Sequence, residues 1–205
     1  MREACLAYGI DKVDAVVLTH AHMDHLAGFD DVRRFNTLNG GVPMRCFAMP
    51  ETVEAMHRIF PYIGEKPNEI GLFRPMINFV EDDSFSIGPV SVERVRVEHG
   101  FPCCGYVLTC EDRRLGYVSD CHALSDEAVS RFAGVDVMVL NCLREREHPT
   151  HLNLTRAREC LERIRPGRAY LIHMCHDLSH RAWLEKLADD CAEPAYDGLE
   201  IELKG

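Results

Sequence analysis

The segment Thr19-His20-Ala21-His22-Met23-Asp24-His25 sets four nitrogen and oxygen donors within six residues, directly after the apolar run AVVL and before LAGFDDVRRF. A strand end followed by a tight turn is a rigid base from which to aim ligands. His20 and His22, two apart in an extended stretch, project on the same side, so both imidazoles can reach one metal ion. Asp24 and His25 lie beyond the turn and are expected to face a second ion. Such donors suit borderline cations, namely zinc, manganese or iron. Four residues cannot complete two metal sites, so further ligands are expected where later strands end. His99 follows VSVERVRV, Asp120 ends YVSD after RRLGYV, and His173 ends AYLIH. Taken singly these read as a surface histidine, a helix N-cap and a core histidine. Their shared position favours a site, because ligands gather outside the carboxyl ends of strands in open α/β sheets.

The elements that must hold these residues alternate as short strands and helices, the signature of an α/β protein. Strands are expected at Asp14–Leu18, Met44–Met49, Ile77–Val80, Val90–Val97 (where VSVERVRV alternates), Gly105–Cys110, Arg114–Val118, Val135–Leu140, Ala169–His173 and Leu199–Leu203. Helices are expected at Leu26–Phe35, Glu51–Ile59 behind Pro50, Ser125–Phe132, Leu154–Ile164 and Leu178–Leu187. Glu111-Asp112 predicts a hairpin turn. No repeat or low-complexity linker divides the chain, so residues 1–205 are expected to form a single domain.

Composition limits the partners. With 205 residues, 23 Lys and Arg against 33 Asp and Glu give a net charge of −10, spread along the chain. Nucleic acid and anionic membranes require clustered basic residues, so neither is expected. No apolar run approaches the roughly 18 to 20 residues of a membrane span. The start, MREACLAYGIDK, lacks the apolar stretch of a signal peptide, and ten cysteines without Cys-x-x-Cys spacing suggest reduced, mostly buried thiols in a cytoplasmic protein.

Together His20-x-His22-x-Asp24-His25, His99, Tyr117-x-Ser119-Asp120 and Leu171-Ile172-His173 resemble the metallo-β-lactamase superfamily. Within it, LTHAHMDHLAGFDDVRRFN, HPTHLNL and LIHMCHDLSH are most similar to the phosphodiesterases that hydrolyse phosphoribosyl 1,2-cyclic phosphate. The resemblance implies an αββα sandwich with two divalent metal ions, one held by His20, His22 and His99 and the other by Asp24, His25 and His173. Asp120 would lie between them, and Asp24 counts among the catalytic residues as well as the ligands. Two cations can share a water, lower its pKa toward neutrality and clamp the attacking and leaving oxygens of a phosphodiester. The bridging hydroxide would be the nucleophile on a small-molecule phosphodiester.

His151 in HPTHLNL is similar in place to the histidine that serves the leaving group in the cyclic phosphodiesterases, where a general acid contributes about 10² to 10⁴ in rate. His176 is a weaker candidate for binding substrate phosphate. His148 and His180 are expected at the surface, and His57 and His122 have no motif support. The resemblance also implies strands upstream of the histidine motif. Only about a dozen residues precede DAVVL, so the N-terminal strands are expected to be missing and an uncovered sheet edge would favour a homodimer. The same ligands serve tRNA 3′-end processing and thioester or lactone hydrolysis, and an inactive metal-binding module is the non-enzyme alternative. A flavodiiron oxidoreductase fits less well, because its motif carries Glu where this chain has His22.

Overall fold

In the computed structural model the described residues are 1–64 and 74–203. They fall into two compact units, Met1–Asp82 and Asp83–Gly205, each with its own sheet.

The first unit runs α1 (Arg2–Ala7), β1 (Ala15–Val17), α2 (Met23–Leu26), a 3-10 turn (Phe29–Asp31), α3 (Val32–Leu38), β2 (Met44–Phe47), α4 (Pro50–Ile59) and β3 (Ile77–Val80). Its three strands are parallel in the order β1-β2-β3, with Val16 opposite Cys46 and Cys46 opposite Phe79. Pro50 opens α4, where its missing N–H would have had no helical partner. Leu26, Phe29, Phe35, Met44, Met56 and Ile77 make the core. The continuous helix expected over Leu26–Phe35 does not form. The chain breaks at Gly28 into α2, the 3-10 turn and α3. A Cβ on Gly28 would lie 2.8 Å from Met1 Cβ, so the packed N-terminus requires glycine at the break.

The second unit runs β4 (Ser84–Ile87), β5 (Val90–Val97), β6 (Cys103–Cys110), β7 (Arg113–Val118), α5 (Asp126–Phe132), β8 (Val137–Asn141), α6 (Leu154–Ile164), β9 (Arg168–Ile172), α7 (His180–Lys186) and β10 (Ala192–Pro194). The sheet order is β10-β9-β8-β7-β6-β5-β4. Strands β7 to β10 are mutually parallel, whereas β4 to β7 form an antiparallel meander. Two antiparallel steps return β5 to the direction of β7. The carboxyl ends of β5, β7, β8 and β9 therefore share one edge of the sheet, which is where the strand-end donors sit.

The helices start at side-chain caps. Ser125 accepts from Ala128 N at 3.1 Å, Asn153 from Arg156 N at 3.0 Å and Ser179 from Ala182 N at 3.2 Å. Phe132 of α5 is fully buried against β6 and β7. A Cβ on Gly105 would meet Tyr117 O at 2.6 Å and Phe132 Cζ at 3.2 Å, so the absence of a side chain lets the ring lie on the sheet.

Three details depart from the sequence expectation. The alternation in β5 reverses phase at Glu93-Arg94, so that Val92 and Val95, both buried, lie on opposite faces. Arg94, polar but buried, pairs with Asp83 at 2.9 Å. Leu199–Leu203 is not a strand, since alternation needs a ladder partner and Glu202 O instead accepts from the Arg168 guanidinium at 2.8 Å. The last strand is Ala192–Pro194, parallel to β9, with Pro194 at its end where a missing N–H is tolerated. No helix among the described residues is long and apolar enough to cross a membrane.

Candidate metal centre

In the first unit the chain leaves β1 still extended, with Leu18 N donating to Phe47 O at 2.9 Å. This extension buries His20 completely. Its Nδ1 lies 3.0 Å from Thr19 Oγ1 and its Nε2 lies 3.0 Å from His22 Nδ1, so the His-x-His spacing does bring both imidazoles together. His22 is the N-cap of α2, and its carbonyl accepts from His25 N and Leu26 N at 3.1 and 3.2 Å. That single turn carries His25 back toward His20, with ring centroids 4.4 Å apart. His25 Nε2 stands 3.3 Å from Asp24 Oδ2, and Asp24 is the exposed member. Asp24 and His25 thus lie within the turn α2 rather than beyond it, and the His25 ring packs on the first histidine of the motif.

In the second unit the donors follow the shared strand edge. His99 lies two residues beyond β5, and its Nδ1 is 2.7 Å from Thr150 O. A carbonyl oxygen only accepts, so Nδ1 carries the proton and Nε2 presents the lone pair that a cation needs. Asp120, two residues beyond β7, is 1% exposed. Its backbone carbonyl accepts from Cys103 Sγ at 3.4 Å. Its Oδ1 lies 3.2 Å from His173 Nε2 and 3.5 Å from His151 Nδ1. His173 follows β9 directly and adopts φ 61°, a left-handed backbone that costs a β-carbon residue of this size energy and turns the chain sharply at the strand end.

His151 stands among imidazoles. Its ring is 4.8 Å from His99, 5.0 Å from His173 in a stacked arrangement and 5.0 Å from His148. Burial pushes His151 down to about 4; Asp120 opposes that shift, and His173, His99 and His148 add to it. His148, expected at the surface, is half-buried, and burial together with Arg144 lowers it too. Its Nδ1 accepts from Thr150 N at 3.3 Å. One donor atom from each of His99, Asp120 and His151 lies within 4.8 Å of the other two.

This donor set fits divalent cations. Imidazoles packed this closely would repel one another if protonated, and neutral imidazoles around a buried carboxylate are the donors that zinc, manganese and iron take. The arrangement can therefore hold cations at the strand edge and keep His151 beside them to exchange a proton.

The remaining histidines lie apart or serve structure. His176 is exposed in the turn after His173. His180 opens α7, with Nε2 3.4 Å from Pro194 O. The His57 ring packs on Phe79 at 5.2 Å, and His122 Nε2 lies 3.6 Å from Glu98. All ten cysteines are free, and six are buried. Burial raises the thiols of Cys104 and Cys160 to about 11 and pushes Cys121 well up, which makes them small hydrophobes rather than nucleophiles. Sequence reasoning missed Thr150, which fixes the His99 tautomer through its backbone, and His148, whose three-residue spacing from His151 was the available signal.

A profile described as "Beta-lactamase superfamily domain" matches residues 3–174. The whole chain is 30% identical over 212 aligned positions to a Porphyromonas gingivalis protein named octanoyltransferase, of which it spans 41%. Half of the chain, 50%, is 28% identical to ribonuclease Z of Thermococcus kodakarensis and spans 32% of it. The chain thus spans less than half the length of these curated relatives. Among solved structures, a diphosphatase of the PhnP family superposes with a TM-score of 0.84 at 29% identity, covering 99% of this chain and 76% of that one. With its fold, its strand-end donors and a match over most of its length in agreement, this chain belongs to the beta-lactamase superfamily.

Proposed function

We propose that this protein is a metal-dependent hydrolase that cleaves a small phosphodiester, a cyclic sugar phosphate being the favoured class. The observation that carries this reading is the cluster at one sheet edge of His99 and Asp120, both buried, with His151 and His173, both half-buried. Its support from outside the chain is the likeness to a diphosphatase of the PhnP family. Two divalent cations would be held by His20, His22 and His99 and by Asp24, His25 and His173, with Asp120 serving both, as the resemblance implies. Bound there, such cations supply Lewis acidity toward water and toward phosphate oxygens.

The chain's own residues supply the rest. Thr150 O keeps the proton of His99 on Nδ1. The Asp120 carboxylate orients His173 and His151 through contacts at 3.2 and 3.5 Å. His151, neutral near pH 7 in the free protein, gains its proton when an anionic phosphate binds beside it, because a neighbouring negative charge favours the imidazolium. A water oxygen bonds to phosphorus and loses a proton to solvent, and as the opposite P–O bond breaks, its electron pair passes to the leaving oxygen, which takes the proton from His151. His176 is proposed as a phosphate contact from its exposed turn, and the substrate as a small molecule met in the cytoplasm, with a homodimer as the proposed assembly.

The test uses metal-reconstituted protein with bis(p-nitrophenyl) phosphate and a five-membered cyclic ribosyl phosphate. Phosphomonoester release is expected, with two equivalents of metal by elemental analysis. Undiminished release by His22→Ala and Asp120→Ala would refute the mechanism. The match to ribonuclease Z supports a second reading, tRNA 3′-end processing, which the net charge of −10 disfavours. Trimming of a tRNA precursor whose rate falls steeply with salt would replace the first reading with the second.

A further inference from the structure

Asn141, the last residue of β8, lies between the strand that leads to Asp120 and the strand that leads to His173. It is fully buried. Its Oδ1 accepts from Leu152 N at 3.0 Å, and the same N–H also reaches Cys121 O at 2.7 Å. Leu152 follows His151 directly, and Cys121 follows Asp120 directly. One shared N–H therefore ties the backbone of His151 both to the strand edge and to the chain beside the carboxylate that His151 faces. The return leg is fixed as well, since Leu143 N donates to Leu152 O at 2.9 Å.

The orientation of the amide follows from this contact. Leu152 N–H is a donor and cannot face a second donor at 3.0 Å, so the amide oxygen is turned toward it and Nδ2 points elsewhere. That Nδ2 is buried with no hydrogen-bond partner among the described residues. A buried donor without an acceptor is unfavourable, and an apolar residue would fill the place more stably. What asparagine supplies there, and an apolar residue does not, is the carbonyl oxygen for Leu152.

We propose that Asn141 is a positioning residue for His151, its amide oxygen anchoring the Leu152 N–H so that the imidazole is held beside Asp120. The inference rests on the reading of His151 as proton donor to the leaving oxygen. A leaving p-nitrophenolate is stable without a proton, whereas a sugar alkoxide is not, so loosening of His151 is felt by the second substrate alone.

The experiment compares Asn141→Ala with Asn141→Asp, which keeps an acceptor at the same place, and uses His151→Ala as reference. For Asn141→Ala, kcat on the cyclic ribosyl phosphate is expected to fall about tenfold or more, part of the general-acid contribution, with KM and metal content held and kcat on bis(p-nitrophenyl) phosphate changed less than about threefold. Asn141→Asp should recover most of the loss. Amide exchange at Leu152, followed by NMR, should accelerate about tenfold or more in Asn141→Ala and less in Asn141→Asp. Equal loss on both substrates, no loss on either, an unmoved Leu152 exchange rate, or failure of both variants to fold would each overturn the proposal. If His151→Ala itself depresses both substrates alike, the proton-donor reading fails; the Leu152 exchange rate then still decides whether Asn141 anchors the segment.

Discussion

Replacing Asp120 by asparagine separates the cost of a buried charge from its use. Asp120 is 1% exposed, with His173 and His151 nitrogens 3.2 and 3.5 Å from its Oδ1. Removing a buried carboxylate relieves desolvation, so the metal-free Asp120→Asn protein should melt within about 3 °C of the parent or above it. The effect on metal runs the other way. A carboxylate and a unit charge about 4 Å apart attract by about 4 kcal/mol at an effective dielectric near 20. If only half of that is lost, the cation binds about 30-fold more weakly. At a metal concentration 100 times the parental Kd, the parent gains about 2.7 kcal/mol of stability. The variant, at only about three times its own Kd, gains about 0.8 kcal/mol. At about 2–4 °C per kcal/mol for a chain of this size, the metal-induced rise in melting temperature should shrink from about 5–11 °C to about 2–3 °C. Calorimetry with and without added metal, with elemental analysis of the same samples, reads both effects. A metal-induced rise that survives intact in Asp120→Asn, or a metal-free protein destabilised by more than about 6 °C, would refute the reasoning.

Two further outcomes follow from other parts of the second unit. The Arg114 backbone N–H at 2.8 Å and the Arg113 guanidinium at 2.9 Å hold the Asp136 carboxyl below its usual range. A carboxyl depressed in the folded state contributes stability above its unfolded value near 4 and loses it as pH falls through the folded value, so melting temperature should drop below about pH 4 and Asp136→Asn should flatten that drop. An unchanged slope in the variant would remove Asp136 from the account. Gly105→Ala places a Cβ 2.6 Å from a backbone oxygen that cannot rotate away. It should cost about 1–3 kcal/mol or more, a melting temperature lower by at least about 2–4 °C, and a parental value would show that β6 and β7 can part without penalty.

The acidic balance needs a local qualification. The net charge of −10 describes the chain, whereas the candidate centre gathers several imidazoles around few carboxylates. Divalent cations held there would outweigh the charge of Asp120, so the loaded site would attract an anionic phosphate although the protein as a whole repels polyanions.

By itself the sequence determined the donors and their order. His20 and His22 meet because two residues apart in an extended chain is a local geometry, and local geometry is readable from spacing. Strands β3 and β5 and helix α6 form with the expected limits, since apolar patterning and capping residues act over a few neighbours. The tertiary structure alone decided whatever depended on a distant partner. Helix Leu26–Phe35 breaks at Gly28, whose missing side chain leaves room for Met1, and Leu199–Leu203 finds no ladder partner among the described residues and instead meets the Arg168 guanidinium through the Glu202 carbonyl. The phase reversal in β5 was present in the letters but acquired meaning only once Val92 and Val95 were both buried. At the centre, the protonation of His99 is set by Thr150, 51 residues away, and the anchoring of His151 by Asn141, ten residues before it. Residue type and spacing name candidate ligands, but the proton each carries and the place it is held are properties of neighbours brought together by the fold.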